Sequence, residues 1–175
     1  PQIRLILQTL IVSFFLFFSK ILITSLNVGF FDDLLKNYYV SFLFTVFCTL
    51  VLINGTNFLD GINTLVIGYY LIITLLLITL INNFNLVFDI EILNILSLTL
   101  IIVFIFNFFG KLYLGDSGSY VLSFFIGSLL ISLVNNNSIV SPYFIALLLW
   151  YPAFENLFSI IRKKINRIPS STPDN

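Results

Sequence analysis

Two aspartates lie in short polar segments of an otherwise apolar chain, and the first of these segments spans 54–63. Polar side chains recur there at every third position: Asn54, Asn57, Asp60 and Asn63. A helix would place residues with that spacing roughly on one side. An ionised aspartate costs about 2.5–3.5 kcal/mol at the centre of a bilayer, and less toward the interface. The alignment therefore indicates a wet cavity, although a helix–turn–helix in which Asp60 caps the next helix explains it equally well.

The second polar segment, 107–119, contains Asp116 flanked by glycines and followed by two serines. Free backbone amides at the start of a helix attract anions such as phosphate. An aspartate beside such a position suits Mg²⁺, which proteins often share between a carboxylate and substrate phosphates. Lys111 would add a positive charge to a diphosphate site. The alternative is a capped turn in which Ser117 or Ser119 is the N-cap of the following helix.

The elements that position these segments are predicted to be membrane helices. Of the 175 residues, 59% are hydrophobic and 9% are charged, whereas a soluble domain is about half apolar and about a quarter charged. Lipid offers no hydrogen-bond partners, so each apolar run must satisfy its own backbone as a helix. We expect an all-α, polytopic membrane bundle of about six transmembrane helices, near 4–26, 40–59, 62–81, 92–109, 118–134 and 143–161.

These helices form one predicted membrane domain over 1–175, with a cytoplasmic tail at 162–175. The chain begins without methionine and stops soon after its last helix, so we expect it to be truncated at both ends. It contains no histidine, which excludes histidine acid–base chemistry and histidine metal sites. With zero net charge and no basic patch interleaved with aromatic residues, nucleic acid is not an expected partner.

Basic residues indicate the orientation. Six crossings would place most of them on one side: Arg4, Lys111, Arg162, Lys163, Lys164 and Arg167. The other side would carry Lys36 with the acidic residues Asp32, Asp33, Asp89 and Glu91. The positive-inside rule assigns the basic side to the cytoplasm. Both polar segments share that side, so a site built from them would face cytoplasmic substrates.

Four segments resemble, in the right order, the polyprenyl-phosphate N-acetylhexosamine-1-phosphate transferases of glycosyltransferase family 4. Residues 54–61 resemble the signature Asn-x-x-Asn-x-x-Asp-Gly, and 114–119 resemble Gly-Asp-x-Gly-Ser. Residues 1–8 are similar to the helix start that follows the family's early aspartate pair. Residues 151–163 are similar to the segment that leads into its last large cytoplasmic loop. Together the four matches cover nearly the whole chain.

The resemblance implies an enzyme of the bacterial inner membrane that transfers a sugar 1-phosphate from a UDP-N-acetylhexosamine to undecaprenyl phosphate and releases UMP with Mg²⁺. Such enzymes initiate cell-envelope polysaccharides such as O-antigen, teichoic acid and capsule, and the peptidoglycan branch fits this chain less well. By resemblance, Asp60 and Asp116 are catalytic and Asp116 is the Mg²⁺ ligand. The implied substrate-binding residues are Asn57, Gly61, Asn63, Asn107 and Lys111. A homodimer stays open as the assembly.

The chain departs from the family pattern in three ways. The family usually continues Asp-Gly-x-Asp-Gly, whereas 60–64 reads Asp-Gly-Ile-Asn-Thr. The early aspartate pair is missing, and Asp32 with Asp33 belongs to a turn on the opposite side. The family's C-terminal histidine motif is also absent. We therefore expect these 175 residues alone to be inactive.

Two other classes of function remain open. An ion channel or transporter would use Asp60 and Asp116 to line a pathway, but the helices beyond the polar segments are almost purely apolar. A catalytically inactive family member acting as a membrane scaffold is the second alternative, and Asn63 is the residue that favours it.

Overall fold

The structure, a computed structural model, describes residues 2–165 and is all-helical, as the sequence predicts. Eight helices follow one another in this part of the chain: α1 (Gln2–Ser19), α2 (Gly29–Leu35), α3 (Tyr38–Leu59), α4 (Leu65–Phe84), α5 (Ile90–Phe108), α6 (Gly115–Asn136), α7 (Pro142–Leu148) and α8 (Trp150–Ile165). Most of the predicted tail at 162–175 lies outside the described residues.

The chain is a multi-pass membrane protein, but the expected count of about six spans is too high. Within the described residues, four helices are long and apolar enough to cross a bilayer, namely α3, α4, α5 and α6. The pair α7 and α8 adds a fifth span if the two bent helices count as one. The predicted first span is not among these candidates, because the described part of α1 counts as a shorter apolar helix.

The first helix stops well before its predicted end at residue 26. It ends at Ser19, and Lys20 takes a left-handed conformation with φ +56°. The backbone beyond it is held outside a helix by α3. The Ile23 N–H donates to the Thr45 hydroxyl at 2.9 Å, and the Ser41 hydroxyl donates to the Ile23 carbonyl at 2.8 Å. These tertiary hydrogen bonds replace the helical ones, so an apolar stretch that suits a helix becomes an extended segment.

The predicted helix at 143–161 is broken between Leu148 and Trp150, where its two halves meet at 57°. Pro152 is the reason, because proline lacks an N–H and its ring collides with the carbonyl of the residue four positions earlier. That carbonyl belongs to Leu148, and it accepts a hydrogen bond from the Tyr69 hydroxyl instead. A side chain of α4 therefore provides the hydrogen bond that the carbonyl loses at the break.

Helix α3 is the centre of the bundle and packs against α1, α6 and α8. A close contact with α8 is at Gly55, where a Cβ would lie 2.0 Å from the Pro152 carbonyl oxygen. Only glycine permits the two backbones to approach so closely. At the next residue, the hydroxyls of Thr56 and Tyr70 lie 2.6 Å apart and connect α3 to α4.

The alternating helices give the bundle two ends. We call the end where α3 and α5 finish and α4 and α6 begin the basic end. Its described basic residues are Arg4, Lys111, Arg162, Lys163 and Lys164. The end that contains α2 and the α4–α5 turn is the acidic end. It carries Asp32, Asp33, Lys36, Asp89 and Glu91. Both polar segments lie at the basic end.

Candidate active site

Asn107 holds the two polar segments together. It lies near the end of α5, where Gly110 adopts φ +66° and turns the chain toward α6. The Asn107 side chain is 3% exposed. Its Oδ1 accepts from the Thr64 N–H at 2.5 Å, and its Nδ2 donates to the Leu112 carbonyl at 2.7 Å. Asn107 therefore connects the α3–α4 turn to the α5–α6 loop, and its part in the site is to position both.

Four side chains from three helices then form a closed set of hydrogen bonds, which we call the polar ring: Arg4, Asn57, Asp116 and Tyr120. Arg4 Nη1 donates to Asp116 Oδ2 at 2.8 Å and to the Tyr120 hydroxyl at 3.0 Å. Asn57 Nδ2 donates to Asp116 Oδ1 at 3.0 Å. The Tyr120 hydroxyl donates to Asn57 Oδ1 at 3.1 Å. The ring joins α1, α3 and α6 at the basic end.

Asp60 is the second carboxylate at this position. It is half-buried and forms the C-cap of α3, where its backbone N–H contacts the Thr56 and Asn57 carbonyls. Burial and the negative charge of Asp116 raise the pKa of Asp60 to about 6, although the Gly115 backbone N–H acts in the opposite direction. Two carboxylates close enough to repel each other form a site at which a positive charge is favoured.

The start of α6 leaves its first amides available. The helix begins at Gly115, which has φ +65°, and its N-cap residue Leu114 makes no side-chain cap. The alternative prediction of Ser117 or Ser119 as the N-cap is wrong because both lie inside the helix. The Ser119 hydroxyl donates to the Asp116 carbonyl at 3.0 Å, back toward the helix start. The Gly115 N–H faces the Asp60 carboxylate, so the following amides of the first turn are the suitable place for an anion.

The remaining residues implied by the resemblance lie around this centre. Gly61 and Asn63 are exposed in the α3–α4 turn, and Lys111 is exposed in the α5–α6 loop. Thr64, which stands where the family usually has glycine, has φ +68°. A β-branched residue is strained in that conformation. The turn thus keeps the backbone shape that a glycine would favour, without the glycine.

Arg4 and Tyr120 are members of the ring that sequence reasoning did not select. Arg4 had a signal of its own, since it is a charged residue at the start of an apolar helix. Tyr120 lies four positions after Asp116 and therefore on the same face of α6. Neither signal could reveal the contact, because Arg4 and Asp116 are separated by 112 positions in the chain.

A second polar pair extends from the ring into the bundle. Gln8 lies one turn after Arg4 on α1, and Asn54 lies one turn before Asn57 on α3. Their amides meet at 3.3 Å, with Asn54 as the donor. Gln8 is 9% exposed, and its Nε2 has no hydrogen-bond partner among residues 2–165.

Comparisons with known proteins identify the family of this chain. Residues 1–134 match the family described as Glycosyl transferase family 4. The chain is also 29% identical over 152 residues to a Bacillus subtilis (strain 168) protein named "Probable undecaprenyl-phosphate N-acetylglucosaminyl 1-phosphate transferase". The match covers 85% of this chain and 42% of that relative's length. No solved structure matches the chain.

Proposed function

The chain belongs to glycosyl transferase family 4, and from that premise we propose that the full-length protein transfers a sugar 1-phosphate from a UDP-N-acetylhexosamine to undecaprenyl phosphate at the cytoplasmic face of a bacterial inner membrane. The product begins a cell-envelope polysaccharide. The Bacillus subtilis relative, whose name describes such a transferase, supports this proposal.

The observation that carries the proposal is the pairing of Asp60 with Asp116 at the basic end. Phosphoryl transfer asks a protein mainly to position two phosphates and to neutralise their charge. The site offers carboxylates for a cation and, after Gly115, amides without a side-chain cap at the start of α6 for an anion. Exposed Lys111 lies in the loop that leads to those amides. A polyprenyl phosphate can approach from the surrounding lipid, since the site lies at the end of membrane-spanning helices.

Mg²⁺ fits the residues that are present. Within 2–165, no three histidine, cysteine, aspartate or glutamate residues are grouped so that they could hold a metal ion by themselves. Mg²⁺ commonly uses one or two carboxylates and completes its shell with water and substrate phosphates. Asp116, with Asp60 close by, provides that donor set. When bound, Mg²⁺ would neutralise charge on the diphosphate.

The proposed reaction is an in-line displacement. An oxygen of the polyprenyl phosphate attacks the β-phosphorus of the UDP-sugar, and the bond from that phosphorus to the bridging oxygen breaks. UMP leaves with the bridging oxygen, and the sugar phosphate stays on the lipid as a diphosphate. The attacking phosphate is largely ionised at pH 7 because its second pKa is about 6. Asp60 and Asp116 therefore contribute charge and position rather than removal of a proton.

The test is UMP release by the full-length protein in membranes that contain Mg²⁺, undecaprenyl phosphate and a panel of UDP-N-acetylhexosamines. We expect one donor to be used, and Asp116→Asn to lower the rate by about 10³-fold. Asp33→Asn is the matched control, since it removes a carboxylate of the acidic end. Folded protein that releases no UMP with any donor would instead favour the inactive scaffold, in which Asn63 and Thr64 mark lost catalysis.

A further inference from the structure

The guanidinium of Arg4 contacts the Asp116 carboxylate, which the proposed function assigns to Mg²⁺. Its Nη1 lies 2.8 Å from Asp116 Oδ2, while Asn57 contacts Oδ1 at 3.0 Å. Both oxygens of Asp116 therefore already face a hydrogen-bond donor. Binding of a cation at Oδ2 requires the guanidinium to move, because two positive charges at bonding distance from one oxygen repel each other strongly.

The ion pair can open at little cost. The side chains of Arg4 and Asp116 are each 58% exposed. Water screens such a pair, and holding two long side chains in one geometry costs entropy, so exposed ion pairs contribute little to stability. A ligand can also reach both partners from solvent. The contact therefore suits a state that exists before a ligand binds and is replaced afterwards.

Tyr120 keeps the guanidinium beside the site when the ion pair opens. Its hydroxyl accepts from Arg4 Nη1 at 3.0 Å and donates to Asn57 at 3.1 Å, so α3 fixes its position. Within residues 2–165, both hydrogen bonds of the Arg4 side chain use Nη1. The Nη2 and Nε donors are therefore available to a ligand. A guanidinium is planar and binds phosphate oxygens in pairs.

We infer that Arg4 is a phosphate-binding residue that occupies the cation's place on Asp116 until substrate arrives, and then moves its hydrogen bonds from the carboxylate to a phosphate of the nucleotide sugar. This inference rests on the proposed function. Each charged group keeps a partner of opposite charge in this exchange. The Asp116 carboxylate contacts the cation in place of the guanidinium, and the guanidinium contacts a phosphate in place of the carboxylate. Tyr120 is a positioning residue that acts through Arg4.

The first measurement is the affinity of the full-length protein in lipid nanodiscs for Mn²⁺ alone. The electron paramagnetic resonance signal of Mn²⁺ reports the binding. Removing the competing guanidinium with Arg4→Gln should tighten Mn²⁺ binding by about three- to tenfold. A role for Arg4 in stability alone predicts the opposite or no change. Mn²⁺ affinity that is unchanged or weaker in Arg4→Gln overturns the inference.

The second measurement is binding of UDP in the presence of saturating Mn²⁺. Here Arg4→Gln should weaken binding by about tenfold or more, because a charge-assisted contact with a phosphate is lost. The two affinities are thus expected to change in opposite directions in one variant. Loss of a structural residue would lower both together.

Three variants complete the test. Arg4→Lys keeps the charge, so its Mn²⁺ affinity should stay near that of the wild type while UDP binding is partly retained. Tyr120→Phe removes the hydroxyl and should weaken UDP binding less than Arg4→Gln does. Lys36→Gln is the matched control, since Lys36 forms an exposed 2.6 Å ion pair with Asp33 at the acidic end. It should leave both affinities unchanged.

The two proposals fail in different ways. If the wild-type protein is folded but binds neither Mn²⁺ nor UDP, the proposed function fails and this inference fails with it. If the wild type binds both ligands and releases UMP while Arg4→Gln behaves like Lys36→Gln, only the role of Arg4 is overturned. A thermal unfolding midpoint for each variant separates a local change from loss of the fold.

Discussion

The two ends of the bundle use aspartates in opposite ways. At the acidic end, Asp32 accepts the Leu26 N–H at 2.6 Å and a hydrogen bond from the Ser25 hydroxyl, and it closes the chain between α1 and α2. The Leu26 N–H holds the pKa of Asp32 below its ordinary value. At the basic end, burial and Asp116 raise the pKa of Asp60 to about 6. One carboxylate stabilises a turn, and the other is kept in an environment that disfavours its charge.

The backbone shows the same contrast. The left-handed positions at the acidic end include Asn27 and Asn85, and asparagine tolerates this conformation. At the basic end Gly110 and Gly115 adopt it freely, whereas Thr64 adopts it with strain. Functional sites often keep strain and like charges that the rest of the fold stabilises. The two ends thus differ in backbone strain as well as in the environment of their aspartates, and the proposed function would place the ligand at the strained end.

The largest expected difference between the ends is in catalysis. Asp60→Ala should lower UMP release by about 10²–10³-fold because one of the two carboxylates that favour the cation is lost. The same variant should unfold at a higher temperature, since the repulsion with Asp116 is removed. Asp32→Ala should do the reverse, with a normal rate and a lower unfolding temperature. Equal loss of activity in the two variants would contradict the contrast.

Gly55 and Gly29 provide a comparison of packing. At Gly55 a methyl group would lie 2.0 Å from the Pro152 carbonyl oxygen, so α3 and α8 must separate. We expect Gly55→Ala to cost about 3 kcal/mol of stability, at the upper end for an overpacked core. Gly29→Ala should be neutral or slightly stabilising, because nothing lies within 4 Å of its added methyl group. Unfolding in mixed detergent micelles with increasing dodecyl sulfate measures both, and a small cost at Gly55 would disprove the close contact.

The pH dependence of Mn²⁺ affinity should distinguish the contribution of Asp60 from that of Asp116. Below a pH of about 6, the pKa of Asp60, the site loses its second negative charge. Mn²⁺ affinity should therefore fall with decreasing pH, by up to about tenfold per unit if the ionised form is required. In Asp60→Asn the remaining affinity should not titrate in this range. A wild-type affinity that is flat between pH 5 and pH 7 would show that Asp60 does not act at the cation.

The two aspartates should give the free energy of unfolding opposite dependences on pH. The fold raises the pKa of Asp60 from 3.8 to about 6, so the folded state binds the proton more tightly than the unfolded state. Asp60 therefore contributes to the free energy of unfolding below pH 3.8, and this contribution is lost as pH rises to about 6. The lowered pKa of Asp32 contributes stability above pH 3.8 that is lost as pH falls through the folded value. Unfolding temperatures of Asp60→Asn and Asp32→Asn, each compared with the wild type across pH, test both signs.

The smallest expected effect concerns the backbone. Thr64→Gly should stabilise the protein by about 1 kcal/mol, since glycine takes the left-handed conformation without steric cost but loses more entropy on folding. Asn27→Gly, at φ +57° in the acidic end, should change stability by much less. Denaturation of both variants under one condition gives the comparison. If Thr64→Gly destabilises, the hydrogen bond from its hydroxyl to the Asn63 carbonyl outweighs the strain.

Local patterns predicted the helical class, most of the helices and the placement of both polar segments at one end. They failed where hydrogen bonds with residues far away in the chain determine the backbone conformation. The segment after Ser19 has a helix-compatible composition, but hydrogen bonds with Ser41 and Thr45 keep it extended. The break before Trp150 has a local cause that the sequence does indicate, since Pro152 lies inside the predicted helix and acts on the carbonyl four positions earlier.

The candidate site shows the same limit. Spacing and resemblance selected Asn57, Asp60 and Asp116, which the fold brings together. Neither could assign Arg4 to Asp116, since no rule of local structure connects residues 112 positions apart. The connecting role of Asn107 was also hidden, because a buried amide that joins two turns has the same sequence pattern as one that binds a ligand.

The long separation within the polar ring has a consequence for biosynthesis. Arg4 is made 116 positions before Tyr120, which corresponds to about 6–23 s of translation at about 5–20 residues per second. During that interval α1 can meet α3, because Gln8 and Asn54 are only 46 positions apart. The nascent chain therefore acquires its inner polar pair first and its outer ring only after α6 has emerged from the ribosome. A ribosome stalled before α6 would carry a paired α1 and α3 with an unfinished polar ring.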